Sequence, residues 1–220
     1  MLRNSRSILQ QGELDGFCLL YAILNAFKAI YPGKFELDQQ KKVWSSLIGV
    51  TPSLQNFASF GSTIADIPNN DTDVVVKALL KNQYSEILTN WLKDKRHNKT
   101  GYSSITIEPV TMDTGQWYQA MLKEPFPDDA AYILCFREAE SMSKGVLKYG
   151  PTNEHWVAIV GATDEALALA CSYTSHYLGS KYAESEVSVG TQSRAFNNQT
   201  VRKLTSSQLF THSRYKISIV

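Results

Sequence analysis

Apolar and polar positions change rhythm near the middle of the chain. In residues 16–30, GFCLLYAILNAFKAI, apolar side chains fall at 19, 20, 23, 26, 27 and 30. That spacing predicts a helix with one wide buried stripe. Asp15 stands at the N-cap position and Pro32-Gly33 ends the run. A second helix is predicted over 38–48, where Val43, Trp44, Leu47 and Ile48 recur at helical spacing. Residues 49–70, with Gly, Pro, Ser and Asn, read as a long loop. Two further helices are predicted over 73–81 and 84–94, and the polar run from Lys93 to Gly101 reads as a surface loop.

From residue 103 the pattern favours strands. SSITIEP at 103–109 predicts a strand, GQWYQAMLK at 115–123 a short helix after Thr114, and AAYILCF at 130–136 a buried strand. HWVAIVGA at 155–162 and ALALACSY at 166–173 flank Thr163-Asp164-Glu165, a short polar gap that predicts a hairpin. Residues 174–200 read as a long polar loop, and the closing RYKISIV alternates like a final strand. Helices first and strands last predict a single α+β domain, with a helical part over about 1–100 and an antiparallel sheet part over about 101–220. A cleft between two such halves is a common place for a site.

Composition narrows the function classes. The 220 residues are 43% hydrophobic and 20% charged, ordinary for a globular protein, and the net charge is +1. That balance gives no electrostatic case for a nucleic-acid or membrane-surface partner. The N-terminal MLRNSRSILQQGELDG lacks the apolar core of a secretory signal, and no segment holds enough consecutive apolar residues to span a bilayer. Three cysteines, Cys18, Cys135 and Cys171, have no paired spacing, so reduced thiols in a cytoplasmic setting are expected rather than a disulfide framework. No Cys-x-x-Cys or His-x-x-x-His pair favours a metal, and Phe60-Gly61-Ser62-Thr63 lacks the glycines and lysine of a phosphate loop. No cofactor is expected.

The chemistry is concentrated at Cys18. Asp15 as cap would put this thiol at the third helical position, where unpaired backbone N–H groups and the positive end of the helix dipole favour a thiolate. Gly16 permits close approach of a substrate to the backbone. Among four histidines, His155 is distinctive because it opens an apolar strand after Gly150-Pro151-Thr152-Asn153-Glu154. A base for a cysteine nucleophile is brought close by the fold rather than by sequence adjacency.

With QGELDGFC leading into a long helix, and a histidine 137 residues further on at the start of a strand, the chain resembles the papain-like cysteine peptidases. The strand pattern around His155 is especially similar to their bacterial branch related to bacteriocin-processing peptidases. The resemblance implies a papain-like fold and a thiol hydrolase acting on a peptide or isopeptide bond, with a protein or peptide as substrate. It implies Cys18 as nucleophile, His155 as base, and the amide of Gln11 in the oxyanion hole. Gln11 lies seven residues before Cys18, one more than in the papain branch. Relatives carry an Asn or Asp on the next strand to orient the imidazole; this chain has Cys171, Ser172 and Tyr173 there, and Ser172 is the side chain expected to take that part.

Asp15-Gly16-Phe17-Cys18-Leu19-Leu20-Tyr21-Ala22-Ile23 also resembles the nucleophile motif of the ovarian-tumour deubiquitinases. His155-Trp156 is similar to their histidine with an aromatic neighbour, although 65 residues follow it. Two alternatives therefore stand beside the peptidase: an isopeptidase of the ovarian-tumour type, and a catalytically inactive papain-like module that binds a partner.

Overall fold

The computed structural model describes residues 17–31, 35–51, 78–94, 101, 103–124, 127–143, 146–162, 166–170, 200–202 and 209–220; the side chains at 137–155, 200–202 and 211–212 lie outside this description. Among the described residues the architecture is α+β, with helices in the N-terminal part and one antiparallel sheet in the C-terminal part.

Helix α1 (Cys18–Ile30) is the centre of the packing. Every residue in it except Tyr21 is buried, including the polar Asn25 and Lys28. A helix apolar on nearly all sides must be covered on nearly all sides, and here the sheet covers one face while neighbouring helices take the rest. It ends at Tyr31, whose backbone turns extended and whose N–H donates to the Phe27 carbonyl at 2.9 Å. Its start corrects the sequence expectation. Phe17, at φ −90° and ψ 30°, is the N-cap, so Cys18 takes the first helical position rather than the third; Asp15 itself lies outside the described residues.

Helix α2 (Leu37–Val50) follows the predicted stripe, burying Val43 and Leu47. Its entry is fixed by the Glu36 backbone N–H donating to Gln39 Oε1 at 2.8 Å. Residues 52–77, which contain most of the predicted long loop and the start of the third predicted helix, lie outside the described residues. The two helices expected on either side of residues 82–83 are one continuous stretch. A π-helical turn (Leu79–Tyr84) runs straight into helix α3 (Ser85–Lys93). Leu80, Tyr84, Leu88 and Leu92, four residues apart, are all fully buried, and this unbroken stripe outweighs the polar Lys81-Asn82-Gln83 on the opposite side. The Tyr84 hydroxyl is 2.7 Å from Thr51 Oγ1, tying this stretch to the end of α2.

Among the described residues six strands form one sheet in the order β1-β6-β2-β3-β4-β5. They are β1 (Ile105–Pro109), β2 (Ala130–Ser143), β3 (Val146–Ala162), β4 (Leu167–Ala170), β5 (Thr200–Arg202) and β6 (Leu209–Ile219). The predicted hairpin is present as β3 and β4, with Ala162 opposite Leu167. Strands β2 and β3 are longer than predicted, and the Gly150–Glu154 segment expected as a loop lies within β3. The ladder yields there: the partner of Arg137 is Glu154, but that of Ala139 is Tyr149. Extra residues accommodated on one strand in this way include Pro151, which has no N–H to donate.

The two faces of the sheet bury separate cores, as alternation along a strand requires. Ile133, Cys135, Trp156, Ala158, Val160, Tyr215 and Ile217 pack with α1, α2 and α3. Leu134, Phe136, Val157, Ile159, Leu167 and Leu169 pack with helix α4 (Thr114–Lys123). Asp113 caps α4, its Oδ1 accepting from the N–H groups of Gly115 at 2.8 Å and Gln116 at 3.1 Å. Edge strand β1 is joined to α3 by Thr89, whose Oγ1 accepts from Ile105 N–H at 2.8 Å.

Candidate active site

Cys18 is the first residue of α1 and is 8% exposed. The N-cap residue, Phe17, makes no side-chain capping hydrogen bond, and the first turn of the helix holds no acidic residue. The positive end of the peptide dipoles falls at the thiol; a helix N-terminus favours a thiolate, whereas burial opposes it. The first-position placement keeps Cys18 at this end, although it differs from the third position that an Asp15 cap would give.

The helix lies on the sheet face that contains Trp156, and Cys18, Cys135 and Trp156 belong to one core cluster. Trp156 is 1% exposed and lies 6.2 Å from the Tyr215 ring, centroid to centroid. His155 precedes Trp156 in β3, and its backbone pairs with Phe136 in the β2–β3 ladder. Phe136 belongs to the core on the α4 face, whereas Cys135, opposite Trp156, belongs to the core of α1. The described residues thus place Cys18 in the same core cluster as Trp156, the neighbour of His155; the imidazole itself lies outside them. Gln11 and Ser172, and with them the expected oxyanion amide and the expected orienting hydroxyl, also lie outside the described residues. The last described pair of the β3–β4 ladder is Ala158 with Ala170.

Three features were not anticipated from sequence. Asn25 is fully buried in α1, seven residues after Cys18, and Lys28 is buried one turn further. On the opposite face of the sheet, Arg214 is buried beneath α4, with its guanidinium carbon 5.2 Å from the Trp117 ring centroid and its Nη2 donating to the Met112 carbonyl at 2.8 Å. Burial pulls the Arg214 pKa down while nearby Asp113 opposes that shift. Third, a groove of about 430 Å³ opens between α1 and α2 beside Tyr21 and Trp44. Arg214 follows Thr211, His212 and Ser213 in a largely polar stretch of β6, so nothing in the sequence marks it for burial; the groove depends on how two helices diverge and has no local signal.

Among the described residues no group of three or more His, Cys, Asp and Glu could hold a metal ion, and no helix is long and apolar enough to cross a membrane. Comparison with protein-family models, with curated proteins and with solved structures found no match.

Proposed function

We propose that the chain is a papain-like thiol hydrolase that cleaves a peptide or isopeptide bond through a Cys18 thioester. The observation that carries this reading is the position of Cys18 as the first residue of a central helix laid against the strand that contains His155. In the proposed reaction Cys18 Sγ attacks the carbonyl carbon and displaces the amine. His155 accepts the thiol proton and delivers it to the leaving nitrogen. Water then attacks the thioester, releasing the acid and restoring the thiol. The Cys18 backbone N–H and the Gln11 amide stabilise the oxyanion. Ser172 orients the imidazole. The expected setting is the cytoplasm, and the ovarian-tumour type of isopeptidase is the alternative within the same chemistry.

A second reading, an inactive papain-like module that binds a partner, is favoured by one observation. The cross-strand partner of His155 is Phe136, a residue of the core on the α4 face, away from the cluster of Cys18.

Labelling with a thiol-directed covalent inhibitor, followed by mass mapping, separates the two. The hydrolase reading expects rapid modification of Cys18 that slows at least tenfold in His155→Ala, within the range general-base assistance provides. Equal labelling rates in both proteins, together with no cleavage of a peptide or of ubiquitin-type chains, would support the binding module instead.

A further inference from the structure

Helix α1 reaches the surface at one described residue, Tyr21, one turn after Cys18. The groove between α1 and α2 opens at that point. Tyr21, Leu24, Leu37 and Trp44 give it an apolar lining, with Lys41 and Ser45 among its polar residues. Leu37 is 58% exposed, the second most exposed of the large apolar side chains described. Trp44 anchors the groove towards the start of α1: its ring meets that of Phe17 edge-on at 5.9 Å and lies 6.4 Å from that of Tyr21. The aromatic contacts thus join the groove to the N-cap of the helix that carries Cys18.

Its chemistry selects an occupant. Gln40 also lines the groove, but its amide nitrogen already donates to the Phe35 carbonyl. Lys41 is the single charged residue in the lining. An apolar trough with one cation at its side complements a bulky apolar side chain that has a carboxylate close by.

We propose that this groove is a substrate-recognition subsite that takes a bulky apolar side chain of a peptide, with the adjacent acidic residue paired to Lys41. Calling it a substrate subsite rests on the thiol-hydrolase reading; the binding of the peptide does not. The carboxylate supplies orientation and selectivity, because an exposed ion pair adds little affinity. The apolar side chain supplies most of the binding, by covering Leu37 and the exposed edge of Tyr21.

The test uses the full chain with Cys18→Ala, so that binding is read without turnover. Acetyl-Leu-Glu-amide and acetyl-Leu-Lys-amide are titrated while the indole N–H proton resonance of Trp44, assigned with Trp44→Phe, is followed by NMR. The acidic peptide is expected to shift this resonance saturably and to bind about threefold more tightly than the basic one. Lys41→Glu should invert that preference, and Leu37→Asp should weaken both peptides about tenfold or more. An unmoved Trp44 resonance, or a preference insensitive to Lys41→Glu, would overturn the proposal. Saturable, Lys41-dependent binding with no cleavage of any peptide by the parent protein would keep the groove and count against the hydrolase. Cleavage that ignores Lys41 and Leu37 would keep the hydrolase and overturn the groove.

Discussion

Cys135 is the cross-strand partner of Trp156, and both side chains pack in the cluster that includes Cys18. Two thiols therefore share one apolar layer while differing in their access to solvent. Cys135 is 0% exposed in the middle of a strand, whereas Cys18 is 8% exposed at the end of a helix.

That contrast gives the first prediction. Iodoacetamide at mildly acidic pH should modify Cys18 well before Cys135, because a thiolate favoured by the helix end reacts where a shielded thiol does not. Peptide mapping of the alkylated protein checks the order. Modification of Cys135 first would exclude Cys18 as the activated thiol.

Replacement of either proposed catalytic residue should separate activity from stability. Cys18→Ala should abolish cleavage, and His155→Ala should reduce it by about 10²–10⁴-fold. Alanine suits the first turn of a helix, so the melting temperature of Cys18→Ala should stay close to that of the parent. A large fall in melting temperature with unchanged cleavage would assign Cys18 to the core alone.

The oxyanion and orienting roles should differ in size. Gln11→Ala is expected to lower kcat about 10²-fold with little change in KM, since its amide would serve the transition state. Ser172→Ala should cost less than about tenfold, because a hydroxyl accepts from an imidazole N–H without stabilising an imidazolium as a carboxylate does. Steady-state kinetics on the two variants compares them directly; a deeper loss at Ser172 than at Gln11 would reverse the roles.

Thr89 offers a test of how the sheet edge is held. Its hydroxyl oxygen accepts from the N–H of Ile105, a residue only 3% exposed. Thr89→Val keeps the shape and leaves that N–H without its acceptor, a loss of about 1–3 kcal/mol. Urea unfolding should register it as a lower midpoint with unchanged slope.

Tyr84 gives a pH dependence. Burial raises its phenol pKa well above the ordinary value, with the Thr51 hydrogen bond working weakly the other way. The folded state therefore keeps a proton that the unfolded chain releases near pH ~10. Above that pH the unfolded state binds fewer protons, so stability falls as pH rises. Tyr84→Phe removes this contribution, and its stability should decline less than that of the parent between about pH 9 and about pH 11. Tyr132, also raised by burial and by Glu124, titrates in both proteins and cancels in the comparison. Parallel declines would show that Tyr84 ionises in the folded state as it does when unfolded.

Period and turn chemistry made most of the architecture legible. Leu19, Leu20, Ile23, Phe27 and Ile30 gave α1 its stripe, and all are at most 2% exposed. The alternation of Trp156, Ala158 and Val160 with Val157 and Ile159 gave β3 its two faces. What escaped was decided at longer range. Asp15 reads as a cap because its residue type suits one, yet the backbone at Phe17 sets the helix start. The Gly150–Glu154 segment reads as a loop from its turn residues, but pairing with β2 draws it into a strand. At the candidate site, Cys18 could be placed at a helix start from sequence. The register that puts Cys135, rather than Phe136, on the α1 face could not, because one residue of slip reverses every side chain.

The strand order also has a consequence for how the chain is made. β6, the last strand in sequence, lies between β1 and β2, so neither earlier strand has its lasting neighbour on that side until residues 209–219 exist. During synthesis the apolar stripe of α1 must wait for β2 and β3, more than a hundred residues further along, for much of its cover. Until β6 is made, β1 lacks its partner and β2 keeps an open edge, and it is at that stage that chaperone binding and aggregation compete most strongly with folding.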